Sequence, residues 1–369
     1  MKKISALVLC CMFATLAEAG GFATSNMSAS GMGVANAVVA GADDVSAAAY
    51  NPSGLAWQDG IQGMVGMGLR YRNSSVDLGT STGPNEGNTS NVNHLYASWM
   101  PRDGDLGFSL AYNQPYMLEN DWSLTFPGSA GRTSIKMSRL SLDTIYRLSS
   151  SMAFAAGVDW YLTSATLTQG GSSFSGNDKA AFGGHVSMKW KPAPMWSVGM
   201  LARLGSSIKL SDSANQSLKV KLPDEFIVGV SYDVADAVRL ELDANWSRWS
   251  RLNDLNVLSG STVVQSNVLD LKDSLTLMAG VTWFWRENSQ FRFGYAYDQG
   301  ANSDQGFHPA VADQTAHKIS LGAGGDMFGL HLDLAYIYTL YPQSKVSGAF
   351  AGTYRDRRHS LALSVSKGF

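Results

Sequence analysis

Residues 20–57 read GGFATSNMSASGMGVANAVVAGADDVSAAAYNPSGLAW. Gly, Ala and Ser dominate the stretch, and Asn51-Pro52 stands near its end. It shows no strand alternation and only a short, weak helical period. So few apolar side chains could not offset the conformational entropy lost on folding alone. A disordered linker is the plain alternative, but linkers rarely carry Phe22, Met27, Met32 and a run such as Ala37-Val38-Val39. Small side chains let a backbone pack closely in a crowded space. The stretch is therefore expected to fold as a plug, because something surrounds it.

The rest of the chain supplies the enclosure. Beyond about residue 58 apolar and polar residues alternate, the signature of strands with two unlike faces. Val238, Leu240, Leu242, Ala244 and Trp246 share one face; Arg239, Glu241, Asp243 and Asn245 share the other. Segments of this kind fall near 61–72, 91–100, 105–113, 136–148, 151–163, 179–191, 195–204, 225–233, 237–248, 273–285, 290–298, 317–324, 329–340 and 359–369. An even number of strands suits a single-chain bacterial barrel. The second face is rich in Gly, Ala and Ser, unlike the solvent face of a soluble sandwich. Trp99, Trp160, Trp190, Trp196, Trp246, Trp249, Trp283, Trp285 and Tyr338 sit towards segment ends, as in the two interfacial girdles of a membrane barrel. Connections alternate short (such as 101–104 and 149–151) and long (73–90, 114–135, 164–178, 205–224, 249–272, 299–316 and 341–358), which puts both termini in the periplasm. The expected fold class is all-β: a 14-stranded antiparallel transmembrane β-barrel over 58–369, with an N-terminal hatch, 20–57, inside its lumen.

Composition agrees. Met1-Lys2-Lys3, an apolar run from Ile4 to Leu16 and Ala17-Glu18-Ala19 make a secretory signal peptide over 1–19. Both cysteines, Cys10 and Cys11, lie within it, so the mature chain is expected to have no thiol. A net charge of −2 points to no polyanion partner and no nucleic acid. After the signal no apolar run is long enough for a spanning helix. Residues 360–369 alternate and end on Phe369, resembling the signal that hands barrels to their assembly machinery in the bacterial outer membrane. Outer membrane lipid and lipopolysaccharide are the other expected surroundings. Catalysis is not expected: His185 and Ser187 share a strand face but stand about 7 Å apart, poor geometry for a nucleophile and its base. The histidines are scattered and no phosphate loop follows a strand, so neither metal nor cofactor is expected.

Several motifs carry a family resemblance. Ala42-Asp43-Asp44 with Asn51-Pro52-Ser53, then Leu222-Pro223-Asp224-Glu225, Trp246-Ser247-Arg248-Trp249-Ser250, the run 291–298 (FRFGYAYD) and Asp313 to His317 occur in order along the mature chain. Together they resemble FadL-type outer membrane transporters for long-chain fatty acids and related hydrophobic compounds. Ser53 stands where the family usually has Ala, and the last stretch lacks the family's Arg. The resemblance implies capture of a hydrophobic ligand in an outer groove, a deeper pocket, and sideways exit beside a kinked third strand. The corresponding strand ends Asn113-Gln114-Pro115, and Pro115 cannot donate a ladder hydrogen bond.

The residues add candidates. Tyr116, Met117, Leu118, Trp122, Leu124 and Phe126 form an apolar run in an expected loop, a candidate outer groove. Leu252, Leu255, Val257 and Leu258 would face it. Phe22, Met27, Met32, Asn51 and Pro52 are the candidate hatch and gating residues. Arg70, Arg147, Arg203, Arg239 and Arg292 are inward-facing candidates for a ligand carboxylate; for most of them pairing with a lumen acid such as Asp143, Asp159, Glu241 or Asp298 is the preferred reading. The function expected is passive, hatch-gated uptake of a hydrophobic small molecule, either a long-chain fatty acid or an aromatic hydrocarbon. A general diffusion porin for small polar solutes is the alternative.

Overall fold

The computed structural model describes residues 22–25, 27–87, 89–286, 289–302, 308–311 and 313–369. The expected signal peptide, 1–19, lies outside the described residues. Among those described, fourteen long strands form the wall: β1 (Gly60–Asp77), β2 (Thr89–Met100), β3 (Leu106–Asp121), β4 (Arg132–Arg147), β5 (Met152–Gln169), β6 (Ser172–Ala193), β7 (Trp196–Leu204), β8 (Glu225–Val234), β9 (Val238–Ser247), β10 (Ser274–Arg286), β11 (Ser289–Asp298), β12 (Ala316–Met327), β13 (Leu330–Leu340) and β14 (Gly352–Gly368). Each pairs antiparallel with the next, and β1 pairs with β14 from Gln62↔Gly368 to Asp77↔Thr353, so the barrel is closed. Phe369 N–H donates to the Ile61 carbonyl at 2.8 Å, placing the C-terminus at the short-turn end beside the start of β1.

The outward side chains are the apolar set. Val65, Met67 and Leu69 on β1 and Leu361 and Leu363 on β14 are exposed, as are Leu242, Phe293 and Leu321. The polar set, including Arg72, His94, Asp143, Asp159, Glu241 and Asp333, is buried inward. In water such an inside-out arrangement would leave a large apolar surface uncovered; in lipid it is what a barrel requires. No helix among the described residues is long and apolar enough to cross a membrane.

Two expectations are corrected. The strands run further outward than alternation indicated. Residues 114–121 belong to β3, and 164–178 is a continuous hairpin turning at Gly170-Gly171, both with positive φ (57° and 81°). Above the lipid belt the two faces of a strand no longer meet lipid on one side and lumen on the other, so the two-residue period fades while the ladder continues. The hairpin 207–211/216–221 and the short strands 257–259 and 262–265 thicken the same end. Second, Trp249 is no girdle residue: it is 1 % exposed and faces the lumen, whereas Trp99, Trp160, Trp190, Trp196, Trp246, Trp283 and Trp285 face outward.

The N-terminal segment fills the barrel. A single-turn helix α1 (Ala29–Gly33) is capped by Ser28, whose Oγ accepts the Gly31 N–H at 3.0 Å. A second, α2 (Ala47–Tyr50), leads into a 3₁₀ turn over Pro52–Trp57. Wall glycines make room for it. A Cβ at Gly199 would collide with the Val39 carbonyl, one at Gly294 with the backbone at Val34-Ala35, and one at Gly280 would lie 2.8 Å from Val34 Cβ. The small inward residues seen in the sequence thus mark where the segment passes.

Candidate functional site

Wall carboxylates hold the N-terminal segment by its backbone. Asp243 Oδ2 accepts the Val38 and Val39 N–H groups at 2.8 and 2.9 Å. Glu241 Oε1 accepts those of Ala40 and Gly41 at 2.7 and 2.8 Å. Both acids lie on the inward face of β9 two residues apart, and each takes two successive N–H groups of a turn that the Ala42 N–H closes on the Val38 carbonyl at 2.9 Å. Asn51 donates through Nδ2 to the carbonyls of Val39 (2.7 Å) and Met188 (3.1 Å), and Pro52 starts the buried turn that follows. Lys189 Nζ donates to the Ala42 carbonyl at 2.7 Å. Ser187 Oγ accepts the Ser53 N–H at 3.1 Å, while His185 lies between Asp143 (2.8 Å) and Asp159 (3.1 Å). Those two side chains are thus engaged elsewhere and do not form a nucleophile–base pair.

The wall itself is interrupted at β3. Pairing of β2 with β3 runs only from Trp99↔Phe108 to Leu95↔Tyr112. On the other side, the β3–β4 register slips between Asn113 and Tyr116, so Gln114 and Pro115 bulge out. Pro115 has no N–H, and Gln114 turns its side chain to replace the missing ladder: its Oε1 accepts the Asn93 N–H at 2.9 Å. The carbonyls freed by the bulge are taken by the N-terminal segment. Thr24 donates its N–H to Pro115 O (2.8 Å) and its Oγ1–H to Gln114 O (2.6 Å). Met117 N–H donates to Phe22 O at 3.0 Å, making Ala23 and Tyr116 partners in an isolated antiparallel bridge. Phe22 then packs at a tilt against Trp249 (4.9 Å between ring centres) and edge-on against Tyr116 (5.9 Å), and Tyr116 meets Trp249 edge-on at 5.9 Å.

Beside this contact is a cavity of about 110 Å³. Met27, Val39, Leu201, Ile227 and Met278 give it apolar walls; Arg139, Arg203, Glu225, Asp298 and Lys318 give it a charged side, and Pro115 lines it at the bulge. Lys318 pairs with Asp298 at 2.5 Å and Arg203 with Asp159 and Glu225 at 3.0 and 3.3 Å. Arg139 differs. It is 1 % exposed, its nearest carboxylate is Asp159 at 3.9 Å, and its Nε and Nη2 have no hydrogen-bond acceptor among the described residues. The polar network continues upward, for Glu225 Oε1 accepts the Tyr116 hydroxyl at 3.1 Å. Lower down, Asp44 in the N-terminal segment accepts the Ser46 N–H at 2.7 Å. Burial raises its carboxyl above the ordinary value and the Asp333 carboxylate adds to the rise, against the opposing hydroxyls of Ser30 and Ser46.

Of the five arginines singled out in the sequence, only Arg203 reaches the cavity. Arg70 donates to Ser90 Oγ (3.1 Å), Arg147 sits near Asp59 (3.4 Å) at the short-turn rim, Arg239 pairs with Asp43 and Asp233, and Arg292 with Asp333 (2.6 Å). The candidate groove is likewise redistributed. Tyr116, Met117 and Leu118 are not in a loop but in β3 and buried; Tyr116 and Leu118 share one apolar cluster with Leu252, Leu255 and Val257. Trp122 is buried in a separate cluster with Val76 and Tyr354, Phe126 packs against that cluster, and Leu124 is 71 % exposed and points away. Met27 lines the cavity, whereas Met32 packs on the wall at Ala335, Ile337 and Ala362. Sequence reasoning missed Arg139 and the lumen position of Trp249, and gave Glu225 only as part of a family motif.

Residues 10–185 and 169–366 match the family model described as outer membrane protein transport protein (OMPP1/FadL/TodX). The chain belongs to the FadL family. Members of this family are outer membrane β-barrels that act as transport channels, not enzymes. The long-chain fatty acid transport protein of Salmonella typhi is 22 % identical over 386 residues, covering 87 % of each chain, and that of Escherichia coli K12 is 21 % identical over 393 residues with the same coverage. A FadL homologue of Pseudomonas aeruginosa superposes with a TM-score of 0.84 at 18 % identity, over 95 % of this chain and 100 % of the other. The toluene transporter TodX of P. putida gives 0.69 at 14 % identity, over 91 % and 98 %. This FadL-family barrel therefore shares its fold with carriers whose names span fatty acids and a monoaromatic hydrocarbon.

Proposed function

We propose that this chain is a hatch-gated outer membrane channel for hydrophobic small molecules, with a cavity beside Arg139 and exit through the wall between β2 and β3. The observation that carries the reading is the junction at β3. One short segment, 22–24, is hydrogen-bonded to the bulge, lines or caps the cavity, and lies beside the stretch where two wall strands do not pair. Displacing it would open the cavity and the wall together.

The cavity's size supports such displacement. An apolar cavity of about 150 Å³ holds benzene, so about 110 Å³ is tight even for one ring. An acyl chain needs Phe22 and its neighbours to move. Burial stabilises a hydrophobic ligand by roughly 0.8 kcal/mol per methylene, so a long chain can outweigh the few hydrogen bonds of the junction, each worth about 0.5–1.5 kcal/mol. Arg139, buried with spare donors, suits a carboxylate head group, which favours amphiphilic acids over bare hydrocarbons. Capture would begin at the apolar cluster holding Tyr116, Leu118, Leu252 and Leu255.

A disulfide tests the gate. Bridge partners in an antiparallel pair stand at Cα separations of about 4.5–5.5 Å, within the range a disulfide spans. Ala23→Cys with Tyr116→Cys is expected to block uptake of radiolabelled long-chain fatty acid by cells under oxidising conditions, with recovery on adding reductant. Equal uptake in both states would refute gating by this segment.

A further inference from the structure

At the outer end of the barrel the hairpin 207–211/216–221 continues the wall beside β6. Its inward side chains, Ile208, Leu210, Leu218 and Val220, are fully buried, so the intervening residues face outward. Three of these are lysines. Lys209 and Lys219 are direct cross-strand partners, and Lys221 lies opposite Ser207. Asn177↔Ser211 fixes the register against β6 and brings exposed Lys179 to the same level. Like charges directly opposite on a sheet repel, with side chains only about 5 Å apart at Cβ. None of the four forms an ion pair among the described residues. The acids nearby are committed to backbone: Asp178 accepts the N–H groups of Ala180 and Lys209 at 2.8 and 2.7 Å, and Asp212 those of Ala214 and Gln216 at 2.9 and 2.8 Å.

The level of this row in the membrane is fixed by Trp160. Its Nε1–H donates to the Lys179 carbonyl at 2.8 Å, and its ring stacks on Phe182 on the lipid face. Outward Trp at a strand's upper end marks the boundary of the hydrocarbon layer. Leu204 and Val186 below are exposed to lipid. A row of ammonium groups without an ion pair among the described residues, immediately above an aromatic girdle, matches a lipid that carries phosphate on its head group and acyl chains beneath.

We propose that the outward face formed by Lys179, Lys209, Lys219 and Lys221 binds a phosphate-bearing glycolipid of the outer leaflet. Binding lets one anion bridge cross-strand lysines that otherwise repel, and it seats the acyl chains on Phe182, Leu204 and Val186. The site is independent of the transport route, since none of its residues lines the cavity.

The test uses the full-length mature barrel in detergent, titrated with diphosphoryl lipid A and followed by native mass spectrometry. Lys209→Gln/Lys219→Gln is expected to weaken binding at least tenfold. Arg355→Gln/Arg357→Gln, an equal loss of charge elsewhere on the outer rim, is expected to change it less than threefold. Dephosphorylated lipid A is expected to bind at least tenfold more weakly, and millimolar inorganic phosphate not to compete. Equal loss in both variants, no loss in the lysine variant, or undiminished binding of the dephosphorylated lipid overturns the proposal. Competition by inorganic phosphate would assign the lysines to a free anion instead. Were the double variant not to fold, Lys219→Gln alone and a rise in salt from 50 to 500 mM serve the same purpose: wild-type binding that ignores salt contradicts the site.

Discussion

At the scale of single residues, Arg139 and the Phe22–Tyr116–Trp249 group decide most. Arg139 is buried with donors to spare beside the cavity, so a ligand carboxylate there would gain charge-assisted hydrogen bonds worth about 1.5–3 kcal/mol. Arg139→Gln is expected to weaken binding of a long-chain fatty acid by roughly ten- to a hundredfold while changing that of the uncharged alcohol of equal chain length less than about twofold; isothermal titration reads both. A parallel loss for both ligands would assign Arg139 to structure alone. Its inward phase was legible, for it shares a face with Ser141 and Asp143. Arg203, Arg239 and Arg292 show the same phase and, as expected for most of the candidate arginines, pair with acids; tertiary contacts supply which ones, Asp159, Asp233 and Asp333. Trp249 misled for a different reason: it keeps the lumen phase of Glu241, Asp243 and Ser247, while its place just past the strand end resembles that of a girdle residue.

Among the elements, the N-terminal segment and β3 matter most. Removing both carboxylates by Glu241→Ala/Asp243→Ala leaves four N–H groups of the segment without acceptors. At about 1–3 kcal/mol for each buried unpaired group, the plug is expected to loosen, and single-channel conductance in planar bilayers to rise well above wild type. Unchanged conductance would show that the acids do not hold it. Gly199→Val drives a side chain into the Val39 carbonyl and is expected to make residues 22–57 susceptible to proteinase K in an otherwise folded barrel. Asp44 adds a pH dependence. Its carboxyl is raised above 3.8 in the fold, so the folded state binds more protons and stability declines as pH rises through the window above that value. Asp44→Asn is expected to flatten this slope in thermal melts; an identical slope would place the effect elsewhere. The plug was legible as small residues without strand period. The outward continuation of β3 was not, because Gln114-Pro115 resembles a strand end and the two faces beyond it are both apolar, Tyr116 to Leu118 running without alternation.

For the whole molecule, sidedness governs everything. Exposed Val65, Leu242, Phe293 and Leu363 require lipid, which frees the interior for charges, a plug and a cavity. All fourteen strands were legible because lipid and lumen impose opposite chemistry on alternate residues within the membrane. The outer extensions were not, because that contrast ends at the head groups. The most direct measurement concerns the wall opening. Deleting Pro115 alone removes the one residue by which β3 exceeds β4 between Asn113↔Arg139 and Tyr116↔Met137, and lets β3 pair with β2 beyond Leu95↔Tyr112. Uptake of radiolabelled long-chain fatty acid by cells carrying this variant, with folded barrel confirmed by heat-modifiable migration, is expected to fall to the level of cells lacking the protein. Uptake at the wild-type rate from such a sealed barrel would contradict lateral exit.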